Sequence, residues 1–283
     1  MKNRINYISL AALTVIGDAF LCLKFSGNLA NDLVALVLAA LVTVLLALAL
    51  NYAFIRFKRI KIKLYLPLAI LGILALITTA VFTLKSFSFY AAKTMLQAND
   101  IFLPFVTLAA LSLFLTASGK KVLSKLATLV LPIALGIILF VFAFSVQFMS
   151  VKYFIPYRMP GGGILKAFCP LVLSLAPSVL PIILLSKGKG VKSIASALTV
   201  GIGGVAIGML NVLGIFGSEF AATLSYPYSV SVGTASMGEI FSRLDGFFYA
   251  LIFFTTLIKV GICIYCTKTL ISSLILKISA KNF

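Results

Sequence analysis

The sequence predicts an all-α, polytopic membrane protein with about eight transmembrane helices, and three observations predict it. Hydrophobic residues make up 62% of the 283 positions, and the mean hydropathy is +1.18. The apolar residues fall into runs of roughly 17–25, the length that carries a helix across about 30 Å of hydrocarbon. Lys and Arg number 24 against six Asp and Glu, and they gather in short clusters between the runs. A net charge of +18 on a water-soluble domain would point to nucleic acid. With charged residues at only 11% of the chain no nucleic-acid partner is expected, and the charge reads as membrane topology.

Eight spans follow, at 6–25, 33–55, 65–84, 101–118, 123–147, 167–186, 193–216 and 246–270. They occupy well over half of the sequence and leave no room for a soluble domain of normal size, so 1–283 reads as a single transmembrane domain. The opening Met1-Lys-Asn-Arg before an apolar run resembles a signal peptide, but Asp18 in mid-run, the lack of a small-x-small cleavage site and the further spans favour a retained helix. Residues 85–98 are amphipathic and too charged and short for a crossing of their own; they extend the third span or lie at the interface.

The loops set the orientation. The connection at 26–32 has no Lys or Arg, whereas 56–63 carries Arg56, Lys58, Arg59, Lys61 and Lys63. Alternating sides place sixteen basic residues inside and seven outside, with Lys259 left within a span. By the positive-inside rule both termini are cytoplasmic.

Polar residues inside the spans are the candidates for function. Gly17-Asp18 sits near the centre of the first span, where an ionised carboxylate costs about 2.5–3.5 kcal/mol and must face a partner, water or the bundle interior. Span six carries Pro170, Pro177 and Pro181 and is approached through Pro160-Gly-Gly-Gly163, so a broken or kinked helix is expected. In span seven, Gly204 and Gly208 form a G-x-x-x-G face suited to close helix packing. The long connection that follows holds Glu219, Tyr226, Pro227, Glu239, Arg243 and Asp245, and is the best outer binding or gating surface on the chain. Lys259 lies thirteen residues into the last span, about 20 Å down its axis. A mutually stabilising Asp18–Lys259 pair, or an ion pathway through them, is the expectation.

Catalysis is not expected. The chain has no His, Asp18 is the one acid deep in a span, and Gly161–Gly163 lacks the G-K-S/T of a phosphate loop. Cys263 and Cys266 are spaced C-x-x-C without a second ligand pair, and they read with Cys22 and Cys169 as packing residues. No cofactor or metal is called for.

Gly214-Ile-Phe-Gly-Ser-Glu219, Leu224-Ser-Tyr-Pro227 and Ile240-Phe-Ser-Arg243-Leu-Asp245 resemble the spore-germination permease subunit (GerAB) family, a branch of the amino acid–polyamine–organocation (APC) transporter superfamily. Ile16-Gly17 before a polar break and the Pro/Gly-rich approach to span six resemble it too; elsewhere the likeness is one of hydropathy. The resemblance implies a LeuT/APC-like inverted-repeat core with helices one and six unwound around a small solute, here lacking the last two helices of the family's ten. It implies a ligand pocket at Ile16, Gly17, Asp18, Pro170, Ser174 and Pro177. It further implies a subunit of a nutrient germinant receptor in the spore inner membrane or cell membrane, binding a germinant such as an amino acid. Companion subunits, a soluble-headed membrane subunit and a lipoprotein, would complete the receptor, with homo-oligomerisation open. An amino acid or cation transporter and a ligand-gated ion channel subunit are the alternative functions.

Overall fold

The computed structural model describes residues 7–57, 62–96, 100–155, 161, 163–186, 191–235 and 244–279, and every regular element among them is helical. In chain order these are α1 (Tyr7–Cys22), α2 (Leu29–Phe57), α3 (Ile62–Tyr90), α4 (Phe102–Ala117), α5 (Lys120–Ser145), α6 (Ile164–Leu175), α7 (Val179–Ser186), α8 (Val191–Ala221), α9 (Pro227–Ala235) and α10 (Leu244–Ser279). Six stretches among the described residues are long and apolar enough to cross a membrane: Leu29–Ala53, Leu66–Thr94, Lys120–Phe148, Ile164–Leu185, Ile194–Ala221 and Gly246–Ile275. The chain is a multi-pass membrane protein on that ground. The predicted first and fourth spans correspond to shorter apolar helices, Ile8–Cys22 and Phe102–Ala117. Residues 85–95 extend the third span, through the end of α3 and a five-residue π-helical turn at Ala91–Met95.

The bundle is built around α1. This helix is apolar on every side, and residues 9–17 and 19–21 are all buried. A helix that is hydrophobic all round belongs in an interior. Its neighbours reach it through glycine. A Cβ at Gly201 would stand 2.7 Å from Val15 Cβ, one at Gly208 2.3 Å from the Phe20 ring, and Ile16 fills the notch at Gly204. Thus the G-x-x-x-G face of α8 is the seat of α1. On another flank, a Cβ at Gly17 would lie 3.3 Å from the carbonyl of Thr255 on α10. Small residues of this kind let helix backbones approach where no water drives them together.

The outer helices differ. Within the most apolar window of each span, 22% of residues are buried in α2 and 28% in both α3 and α5, against 56% in α8 and 67% in α10. Leu, Val and Phe side chains of the outer group, among them Leu41, Leu45, Leu71 and Leu129, face outward. These are lipid-facing surfaces, and α1, α6–α7, α8 and α10 form the interior.

Two sequence expectations need correction. The first helix is not unwound at Ile16–Asp18: α1 is continuous from Tyr7 to Cys22, and Gly17 serves close contact with α10 instead of a break. Span six is not unwound either. Pro170 lies within α6, and Pro177 lies in a single 3-10 turn, Ala176–Ser178, that joins α6 to α7 with right-handed helical backbone angles on both sides. The missing donor of Pro177 falls in this tightened turn, in which Val179 N–H bonds the carbonyl of Ala176.

Candidate functional site

The 3-10 turn creates the polar centre of the bundle. Tightening the backbone register from i+4 to i+3 leaves carbonyls of α6 available to side-chain donors. Lys259 of α10, fully buried, donates from Nζ to Ser178 Oγ at 2.8 Å, with the carbonyl of Ser174 at 3.5 Å. The Ser178 hydroxyl in turn reaches the carbonyl of Thr14 at 2.9 Å and that of Ser174 at 3.2 Å. Lysine, hydroxyl and carbonyl thereby tie α10, the α6–α7 turn and α1 at one level. Thr14 is one helical turn from Asp18, so the backbone brings the Asp18 turn to the Lys259 site. The side chain of Asp18 lies outside the described residues.

Further buried polar groups lie near the Phe20 end of α1. Thr256 Oγ1, Asn211 Oδ1 and Tyr228 Oη are buried without a hydrogen-bond partner among the described residues. Thr256 follows Thr255, whose backbone abuts Gly17. Tyr228 stacks on Phe20 with ring centroids 4.3 Å apart, and Asn211 lies one turn beyond Gly208, which packs on the same ring. Asn211 Nδ2 stands 3.5 Å from Ser231 Oγ. Buried polar groups are normally bonded; such orphans also occur at Asn51, Ser112 and Ser145 on α2, α4 and α5, and those of Asn211 and Tyr228 stand together beside Phe20 of α1.

The stretch predicted as an outer loop is largely folded. Pro227 begins α9, as its fixed φ and missing donor suit a first turn. The helix is packed into the bundle: Tyr228 is fully buried, and Tyr226 lies edge-on to Tyr90 at 5.1 Å. Burial raises the pKa of the Tyr228 phenol; burial, then neighbouring Cys22, does the same at Tyr226. Both phenols therefore stay neutral near pH 7. Glu219 is exposed. Glu239 and Arg243 lie outside the described residues, as does the side chain of Asp245.

At this end of the molecule the connections assigned to one side by the charge pattern meet one another. Asp32, fully buried in the first turn of α2, accepts Ser26 N–H at 2.7 Å and the Ser218 hydroxyl at 2.5 Å. Asn31 Oδ1 accepts Gly161 N–H at 2.8 Å, and Ser150 N–H donates to the carbonyl of Gly214 at 3.0 Å. Gly217, at φ +69°, kinks α8 where the ring of Tyr153 would stand 2.9 Å from any Cβ. A cavity of about 280 Å³ opens between these segments, lined by Asn28, Lys152, Tyr153, Gly217, Glu219 and Phe220 among others.

Of the predicted pocket residues, Ile16 and Gly17 are spent on packing against α8 and α10, and Pro170 and Pro177 are half-buried. Ser174 is buried and contributes its carbonyl to the Lys259 site, while its hydroxyl bonds the Leu171 carbonyl. Reading the sequence missed Ser178, Thr14 and Asp32. Only Asp32 carried a signal: Asn28, whose Oδ1 accepts Ala30 N–H, caps the helix in whose first turn Asp32 stands. No protein-family model and no curated protein matches the chain.

Proposed function

We propose that the chain is a transporter-like, membrane-embedded subunit of a nutrient germinant receptor. It binds a small solute of the amino-acid class beside α1 and passes a conformational change to companion subunits. The observation that carries solute binding is the set of buried polar groups beside α1: Lys259 with Ser178, and Asn211 Oδ1 and Tyr228 Oη, which have no hydrogen-bond partner among the described residues. Each is costly in a membrane interior, and a packed scaffold of apolar helices gains nothing from them. Asp18 and Lys259 act as one charge pair across α1 and α10, and the 3-10 turn at Ala176–Ser178 is the joint that moves.

The assignment to germination rests on the likeness of residues 214–245 to spore-germination permease subunits. The outward orientation of the Glu219 end rests on the distribution of Lys and Arg. A solute shifts the subunit between two arrangements only by binding one more tightly, so no covalent step is required.

The test is reconstitution of the full chain in liposomes with a panel of labelled amino acids, saturable binding and time-dependent accumulation being measured separately. Binding without accumulation is the expected result. Accumulation would replace the receptor by a transporter, ligand-gated current without accumulation would make it a channel subunit, and no binding across the panel would overturn solute recognition.

A further inference from the structure

The cavity at the Glu219 end carries an inference of its own, which goes beyond the site beside α1. Its lining includes one cation, Lys152, and one carboxylate, Glu219, both exposed. Among the described residues neither side chain has a hydrogen-bond or ion-pair partner, and they are not paired with each other. They come from different elements: Lys152 from the 3-10 turn Val151–Phe154, Glu219 from α8 beyond its kink. Opposite charges placed in one hollow without closing on each other leave both available to a third party.

The walls are held by glycine turns and a buried carboxylate. Gly27 and Gly217, both lining the cavity, have φ of +85° and +69°, a region that side-chain-bearing residues rarely adopt. The buried Asp32 fixes Ser26 and Ser218, and with them the turns that carry Asn28 and Glu219. Tyr153, Phe216 and Phe220 supply apolar surface in the lining. A volume of about 280 Å³ falls at the lower edge of the roughly 300–1,000 Å³ of drug-sized sites, which suits a molecule smaller than a drug.

We propose that this cavity is a second, outer binding site for a small zwitterion, with the ligand carboxylate on Lys152, its ammonium on Glu219, and its apolar portion against Tyr153 and Phe220. The site collects solute at the membrane face, ahead of the polar groups beside α1.

The experiment uses the full chain in lipid nanodiscs and measures equilibrium binding of labelled L-alanine and L-leucine, with competition by propionate and isobutylamine, which carry one charge each. Zwitterions are expected to compete at least about tenfold better than either single-charge probe, a factor of about 1.4 kcal/mol. Lys152→Gln and Glu219→Gln are each expected to weaken binding by about tenfold or more, with unaltered melting temperature because both side chains are exposed. The charge-exchanged double variant Lys152→Glu/Glu219→Lys should recover part of what either exchange alone loses. Unchanged affinity in both neutral variants would overturn the outer site. If Lys259→Met abolishes binding while those variants retain it, the outer site fails and the site beside α1 stands; the converse leaves the outer site and removes the inner one. Equal competition by the single-charge probes would also contradict zwitterion recognition.

Discussion

Lys259 and Lys152 carry the same ammonium in opposite circumstances. Lys259 is fully buried and bonded to Ser178 at the meeting of α1, the α6–α7 turn and α10; Lys152 is exposed at a cavity rim with no protein partner among the described residues. The first is part of the fold, because an ammonium taken out of water must be compensated by its surroundings. The second is available for recognition at almost no cost to folding. Position in the bundle therefore decides how much each lysine contributes to holding the helices together.

Substitutions can break this contrast, beginning with the largest effect. Lys259→Ala empties a large buried site and strips Ser178 of its donor, and should lower stability by about 3–5 kcal/mol, read as a large fall in the thermal midpoint of the detergent-solubilised chain. Gly208→Ala forces a methyl group onto the Phe20 ring and should cost about 1–3 kcal/mol in the same assay; a neutral result would mean that α8 and α1 are not packed as described. Asp32→Ala leaves Ser26 N–H and the Ser218 hydroxyl without their acceptor, at about 1–3 kcal/mol, and should also weaken the outer site by loosening its walls. Ser178→Ala removes one hydroxyl from the centre, for about 1 kcal/mol. Lys152→Gln should change stability by no more than about 0.5 kcal/mol; a larger loss would erase the distinction between the two lysines.

Much of this was legible in the sequence, for identifiable reasons. The helices were, because hydrocarbon thickness fixes the length of an apolar run and prolines and basic clusters punctuate it. Lys259 stood out because a charge in such a run is conspicuous, and Gly204 and Gly208 because small residues at a four-residue spacing form one face. The partners of Lys259 were not legible. Ser178 and Thr14 are ordinary residues of apolar segments, and only the fold joins Lys259 to Ser178 across 81 residues and Ser178 to Thr14 across 164. The expected unwinding at Gly17 failed because glycine in a membrane helix permits close approach as readily as a break, and Thr255, which decides between them, is distant in sequence. Aromatics and proline at Tyr226-Pro227 suit either a membrane interface or a protein-covered segment, and the fold decides for the second, with α9 turned inward so that Tyr228 packs on Phe20 and Phe248.

Lys259 and Asp18 are proposed to form one unit across α1 and α10. A double-mutant cycle tests it most directly, with thermal unfolding measured for Lys259→Met, Asp18→Asn and the double variant. The pair predicts that each single change is severe and that the double change costs clearly less than their sum, by more than about 0.5 kcal/mol. Strictly additive losses would contradict it.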